Sequence, residues 1–225
     1  MTEKLLDCVE MTTSTPAEYT VIWLHGLGAS GHDFEPVVPA LELLHRPGVR
    51  FLFPHAPVRP ITINGGAAMR GWYDIMSMDI GDRGQDQAGI TESADAVDAL
   101  IAHEAGRGVP SNRIILAGFS QGGAIALYAG LRNAEPLAGI LALSTYFPLQ
   151  DEVLPTLDES RKTLPVFMAH GQQDTVINIT YAEQSRDVMK ANGIDVEWHD
   201  YAIEHSVSAD EVADISTWLK RQFGM

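Results

Sequence analysis

Ser120 stands in the run Gly118-Phe119-Ser120-Gln121-Gly122, directly after the apolar residues 113–117 and ahead of a stretch of helical period. A serine at the sharp junction of a strand and a helix is displayed on strained backbone, and the residues two before and two after it must be small because strand and helix nearly touch. Glycine at 118 and 122 meets that demand. A serine hydroxyl is a weak nucleophile near neutral pH, so it needs a base within hydrogen-bond reach and a carboxylate to orient that base. At a junction of this kind the chain order is serine, acid, histidine. Asp174, in His170-Gly171-Gln172-Gln173-Asp174, leaves the end of one later apolar run, and His205, in Tyr201-Ala202-Ile203-Glu204-His205-Ser206, leaves the end of the next. The expected catalytic residues are therefore Ser120 as nucleophile, His205 as general base and Asp174 as the acid that orients it.

Competitors for these roles have plainer readings. Asp195 and Asp200 are alternative acids, but both belong to the run that leads into the histidine loop rather than to a loop before it. Of the other histidines, His45 and His103 fall late in helical patterns, His199 lies inside a strand pattern and His55 sits in a proline-flanked turn. Attack on a carbonyl builds negative charge on oxygen, which preorganised backbone N–H groups stabilise. Gln121, next after the serine and first in its helix, supplies one such donor. The glycine turn Trp23-Leu24-His25-Gly26-Leu27-Gly28, at the end of an early strand, supplies the second through Leu27. His25 is expected to brace that turn through its ring.

These groups need a scaffold that delivers them to one edge. Runs rich in β-branched and aromatic residues at 19–24, 49–53, 113–117, 139–143, 166–170 and 196–201 read as strands. They alternate with helical patterns at 35–45, 90–104, 121–132, 179–192 and 208–223, and residues 5–10 suggest an antiparallel edge strand. Alternation of this kind predicts an α/β fold: a mostly parallel central sheet flanked by helices on both faces. No internal repeat or linker interrupts it, so residues 1–225 are expected to form one domain. Residues 58–87 show no convincing period, and connections that long are usually functional or disordered. This one carries Met69, Trp72, Tyr73, Ile75, Met76, Met78 and Ile80, the content of a folded flap that walls a lipophilic pocket. Met69, Trp72, Ile75 and Met76 are the substrate-binding candidates; the plainer reading is that they pack the flap onto the sheet.

Bulk composition narrows the partners. The chain has 30 acidic against 15 basic residues in 225, a formal net charge of −15, which disfavours nucleic acid or an anionic membrane surface as the main partner. The lone Cys8 cannot form an internal disulfide and reads as an idle thiol. The N-terminal residues lack a signal-peptide pattern, and no apolar run approaches the ~18 residues of a membrane span. A soluble cytoplasmic protein is expected, without stable membrane insertion. His32-Asp33 and His199-Asp200 are pairs with no third ligand at metal-site spacing, so no metal or cofactor is implied.

Seven ordered blocks carry a resemblance: Leu24-His25-Gly26-Leu27-Gly28, Phe53-Pro54-His55-Ala56-Pro57, Asn64-Gly65-Gly66, Met69-Arg70-Gly71-Trp72-Tyr73-Asp74-Ile75, Gly118 through Ala124, His170-Gly171 with Asp174, and His205-Ser206-Val207. Together they resemble the phospholipase/carboxylesterase family of small α/β-hydrolases, which includes acyl-protein thioesterases and bacterial carboxylesterases. The resemblance implies the α/β-hydrolase fold, Ser120, Asp174 and His205 as triad, Leu27 and Gln121 as oxyanion hole, and the Trp72 flap beside an acyl groove. Ala29 and Ala202-Ile203 depart from the common eukaryotic pattern and lean toward bacterial members. The function expected is hydrolysis of short- to medium-chain acyl esters, with acyl-protein thioesterase or lysophospholipase activity as the alternative. A ligand-binding module of the same fold is the non-enzyme alternative, and related esterases often dimerise, so a homodimer is compatible with the sequence.

Overall fold

The computed structural model describes residues 5–43, 47–77 and 85–225. In chain order the elements are β1 (Cys8–Thr12), β2 (Ala17–Leu24), β3 (Gly48–Pro54), β4 (Val58–Ile61), β5 (Ala67–Arg70), α1 (Gln87–Gly106), β6 (Ile114–Phe119), α2 (Gln121–Arg132), β7 (Gly139–Leu143), α3 (Gln150–Val153), α4 (Glu159–Lys162), β8 (Val166–Gly171), α5 (Ile179–Ala191), β9 (Val196–Tyr201) and α6 (Ala209–Gln222). Seven strands form one sheet in the order β1-β3-β2-β6-β7-β8-β9. β1 pairs antiparallel with β3 and every other pairing in this sheet is parallel. The expected α/β-hydrolase architecture is the one found.

Burial follows position in the sheet. The inner strands β6, β7 and β8 are almost wholly buried runs, as parallel strands covered on both faces must be. The edge strands β1 and β9 are only partly buried. On one face Val97, Leu100 and Ile101 of α1, Ile125 and Leu131 of α2 and Met189 of α5 close over Ile22, Leu116 and Ile140. On the other, Ile215, Trp218 and Leu219 of α6 meet Val38 and Leu41 over Trp23, Phe51 and Phe167. Among the described residues no helix is long and apolar enough to cross a membrane.

Three expectations change in detail. The helical pattern at 35–45 is a 3₁₀ helix over Glu35–Leu41. Pro39 has no N–H for an i−4 bond and its ring clashes with the carbonyl four residues back, so an α-helix cannot run through it; His45 lies outside the described residues. Residues 58–87, which lack a visible period, contain the antiparallel hairpin of β4 and β5. Strands of four residues are too short to register as alternation. Met78 and Ile80 lie outside the described residues. The edge strand begins at Cys8 rather than residue 5, and its thiol bonds Leu6 O at 3.3 Å. Burial pushes the Cys8 thiol up to about 11, consistent with an idle group.

Helix α6, which follows the His205 loop, starts with a capping box. Ser208 Oγ accepts from Glu211 N at 3.1 Å, and Glu211 Oε2 accepts from Ser208 N at 3.4 Å. Glu211 is fully buried, and its Oε1 has no hydrogen-bond partner among the described residues. Burial raises its carboxyl to about 7, against the capping N–H that lowers it. A folded-state value above the unfolded one means stability is complete below the unfolded value near 4.5 and falls as pH rises through 7. Glu211→Gln keeps a side chain suited to the box and removes the charge. Urea midpoints from pH 5 to 8 should therefore fall less steeply in the variant, by on the order of 2 kcal/mol over that range; parallel profiles would contradict the buried-charge account.

Candidate active site

Strand β6 and helix α2 meet at Ser120 with no room for side chains between them. A Cβ at Gly118 would lie 2.2 Å from Gly122 O, and one at Gly122 would lie 2.3 Å from Leu24 O. Ser120 adopts φ 55 and ψ −121, a conformation that non-glycine residues rarely hold and that costs about 1–3 kcal/mol. Its neighbours over-determine it. Ser120 N donates to Leu143 O at 2.8 Å, while Ser120 O accepts from Thr145 Oγ1 at 2.7 Å and from Ala124 N at 3.1 Å. The strained residue is thus bolted to the end of β7 by both of its peptide groups.

The acid and the histidine arrive on neighbouring strands. Asp174 follows β8 and His205 follows β9, and the two loops are joined by backbone bonds from Gln172 N to Tyr201 O at 2.8 Å and from Gln173 N to Ile203 O at 3.0 Å. His205 Nδ1 lies 2.6 Å from Asp174 Oδ2. Asp174 Oδ1 accepts from Val176 N at 2.8 Å and from Ile177 N at 2.9 Å. The carboxylate is closed off from solvent, and the imidazole packs on Phe119, the residue before the serine, at 4.7 Å between ring centroids. Asp200, the rival acid, takes a bond from Gln172 Nε2 instead.

The early glycine turn lies against Ser120, since a Cβ at Gly26 would sit 3.5 Å from Ser120 Cβ. Leu27 N has no acceptor among the described residues, whereas Gly28 N and Ala29 N are taken by Arg70 O and Gly26 O. Gln121 N opens α2 and so has no acceptor within the helix. Ala56 N can only donate to His25 Nε2, at 3.1 Å, so the ring proton is on Nδ1 and bonds Gly26 O at 2.7 Å. Burial lowers the pKa of His25, keeping the ring neutral. It braces the turn, as expected.

Of the two readings of the flap, Trp72 follows the plainer one, packing against the sheet. Trp72 has no exposed surface. Its Nε1 donates to His25 O at 2.8 Å, its N–H to Gln121 Oε1 at 2.8 Å, and its carbonyl accepts from Ser93 Oγ. The ring is a buried wedge that packs the flap onto the sheet, and it also borders the groove over α1. Met69 and Ile75 are half-buried and Met76 is 48% exposed, so these three retain accessible surface. Met69 lies beside the early glycine turn, its sulfur 3.8 Å from where a Gly28 Cβ would stand. Gln121 Nε2 also donates to Tyr73 O at 2.7 Å, and Tyr73 Oη meets Tyr146 Oη at 3.0 Å. The side chain of Gln121, which the sequence singled out only for its N–H, clamps the flap to the elbow with both ends of its amide. A separate groove of about 740 Å³ lies over α1, among Leu5, Pro57, Arg59 and Thr91, and includes none of Ser120, Asp174 and His205.

Comparison with known proteins fits this geometry. The phospholipase/carboxylesterase family model matches residues 8–222. The chain belongs to that family. It is 40% identical over 208 residues to acyl-protein thioesterase 1 of Yarrowia lipolytica, covering 89% of this chain and 90% of the relative. Among solved structures it resembles Arabidopsis thaliana SOBER1, with a TM-score of 0.85 and 31% identity over 92% of this chain and 99% of that one. It also resembles esterase PE8, with a TM-score of 0.80 and 26% identity over 97% and 99%. The chain is therefore a hydrolase of this family.

Gln121→Met preserves bulk but strands the buried amide of Trp72 and carbonyl of Tyr73. Each unsatisfied backbone group costs ~1–3 kcal/mol. The variant should lose about 2–6 kcal/mol of unfolding free energy in urea titrations, with faster hydrogen exchange at Trp72 N. Wild-type exchange there would show that the clamp does not hold the flap.

Proposed function

We propose that this chain is a serine hydrolase that cleaves acyl thioesters, with oxygen esters of short to medium acyl chains as a second substrate class. The observation that carries the reading is the 2.6 Å bond between His205 Nδ1 and Asp174 Oδ2, made on loops beside an elbow serine. In the mechanism Ser120 Oγ attacks the acyl carbonyl while His205 Nε2 takes its proton. Charge on the carbonyl oxygen is met by Leu27 N–H and Gln121 N–H. His205 returns the proton to the departing sulfur or oxygen, then activates the water that releases the acid. Asp174 keeps the Nδ1 proton in place so that Nε2 is free to accept.

The relatives named acyl-protein thioesterase 1 support the thioester as leading substrate, and the likeness to esterase PE8 supports the ester reading beside it. The leaving groups differ in demand: a thiol ionises near ~8.5 and departs with little help, whereas an alkoxide needs full protonation. One site can serve both. Met69, Ile75 and Met76 are the residues we assign to the acyl chain, with Trp72 as their backing.

The test is steady-state turnover of octanoyl and palmitoyl thioesters and of p-nitrophenyl octanoate by the purified chain. Ser120→Ala should lose on the order of 10⁶-fold in kcat and resist labelling by a fluorophosphonate. Asp174→Asn should lose about 10⁴-fold. A wild-type chain that binds acyl ligands but turns over neither class, with Ser120→Ala binding equally well, would make it a binding module. Efficient ester turnover with inert thioesters would reverse the order of the two substrate classes.

A further inference from the structure

Two imidazoles approach the Asp174 carboxylate. Besides His205, His170 near the end of β8 places its Nε2 3.3 Å from Asp174 Oδ2, from within a fully buried site. The same nitrogen lies 2.8 Å from Ile177 O. A carbonyl oxygen only accepts, so Nε2 carries the proton and Nδ1 is bare. Nδ1 is indeed buried without a hydrogen-bond partner among the described residues. A second ring proton would have no acceptor there, and burial lowers the pKa of His170 despite the nearby Asp174 and Glu183 carboxylates. The ring is therefore a neutral donor with one fixed tautomer.

Its bond to Ile177 O ties the end of β8 to the far end of the acid loop. Inside the loop so closed, Asp174 N donates to Gly171 O at 3.2 Å, and the N–H groups of Val176 and Ile177 both point at Asp174 Oδ1. Without the tie, Ile177 O loses its side-chain partner, and Ile177, whose own N–H bonds Asp174 Oδ1, is no longer held from its carbonyl side. We infer that His170 is a positioning residue: its Nε2–H, bonded to Ile177 O, closes the acid loop and holds Asp174 Oδ2 at His205 Nδ1. The inference rests on Asp174 being the acid of the proposed mechanism.

The test compares two substitutions of nearly equal shape. Gln at 170 can present an amide N–H to Ile177 O, and Met cannot. A displacement of about 1 Å at a reacting group can reduce rate by ~10²-fold. His170→Met should therefore lose between ten- and a hundredfold in kcat on p-nitrophenyl octanoate with KM within twofold. His170→Gln should recover to within about threefold of wild type. Equal kcat in the Met variant and wild type would overturn the inference, as would equal losses in Met and Gln.

If both variants fail to fold, ¹⁵N-imidazole spectra of the wild-type chain decide: an Nε2–H tautomer for His170 is required, and Nδ1–H or a doubly protonated ring overturns the proposal. Asp174→Asn separates the two levels of argument. If it remains fully active, the acid assignment fails and His170 loses its role with it. If it is crippled while His170→Met is unaffected, only the positioning inference falls.

Discussion

The approach of β6 to α2 at Ser120, closer than any Cβ permits, is the constraint on which the rest of the site depends. A strand that turned gradually into its helix would leave Ser120 in ordinary backbone and its hydroxyl inside the core. Because Gly118 lets β6 touch α2 and Gly122 lets α2 touch the end of β2, the turn is completed by one residue with positive φ. The strain of that residue is small beside the burial of α2, whose residues from Gln121 to Leu131 are all buried. The same geometry fixes Gln121 at the start of the helix, with no acceptor for its N–H within the helix and its amide facing the flap. One steric demand thus orients the proposed nucleophile, a proposed oxyanion donor and the anchor of Trp72.

The second half of the site depends on strand order. β8 and β9 are neighbours at one end of the sheet, so residues that leave their C-terminal ends are adjacent even though Asp174 and His205 are 31 apart in sequence. The register pairs His170 with Asp200 and Gly171 with Tyr201, and the two loops continue that pairing with backbone bonds beyond the strands. Distance in sequence is converted into a short, partly buried hydrogen bond without any long side chain. The entropy of bringing the loops together is offset by ladder bonds already made.

Much of this was legible in the chain because each signal has a local cause. Continuous apolar runs mark β6, β7 and β8, and the glycine spacing around Ser120 is a steric rule. The chain order Ser, Asp, His follows from where loops leave a parallel sheet. What escaped lies outside hydrophobic periodicity. Pro39 tightens a helical pattern into a 3₁₀ helix, which periodicity alone does not reveal. The hairpin of β4 and β5 is stabilised by contacts outside itself, such as Asp74, whose carboxylate takes Thr62 N at 2.7 Å and Thr62 Oγ1 at 2.5 Å. Trp72 in a loop of apolar residues suggested a pocket face, and only the partners His25 O, Gln121 and Ser93 show it to be a buried wedge. The clamp by Gln121 and the tie by His170 join groups about 50 and 7 residues away. No motif encodes such a pairing.

Electrostatics at the site is set locally rather than by the net charge. A formal charge of −15 would, unscreened, oppose both a buried carboxylate and an oxyanion. At physiological ionic strength the Debye length is about 8 Å, and exposed carboxylates beyond that distance contribute little inside the site. Asp174 is instead surrounded by fixed donors: two backbone N–H groups on Oδ1, His205 on Oδ2 and the Nε2–H edge of His170 beside it. In a low-dielectric interior such donors act far more strongly than in water. They are aligned by the fold before substrate arrives, so no dipole has to reorganise as charge develops. An acidic surface is therefore compatible with a site that seats the Asp174 carboxyl among fixed donors and, in the proposed reaction, stabilises an oxyanion for the lifetime of a tetrahedral intermediate.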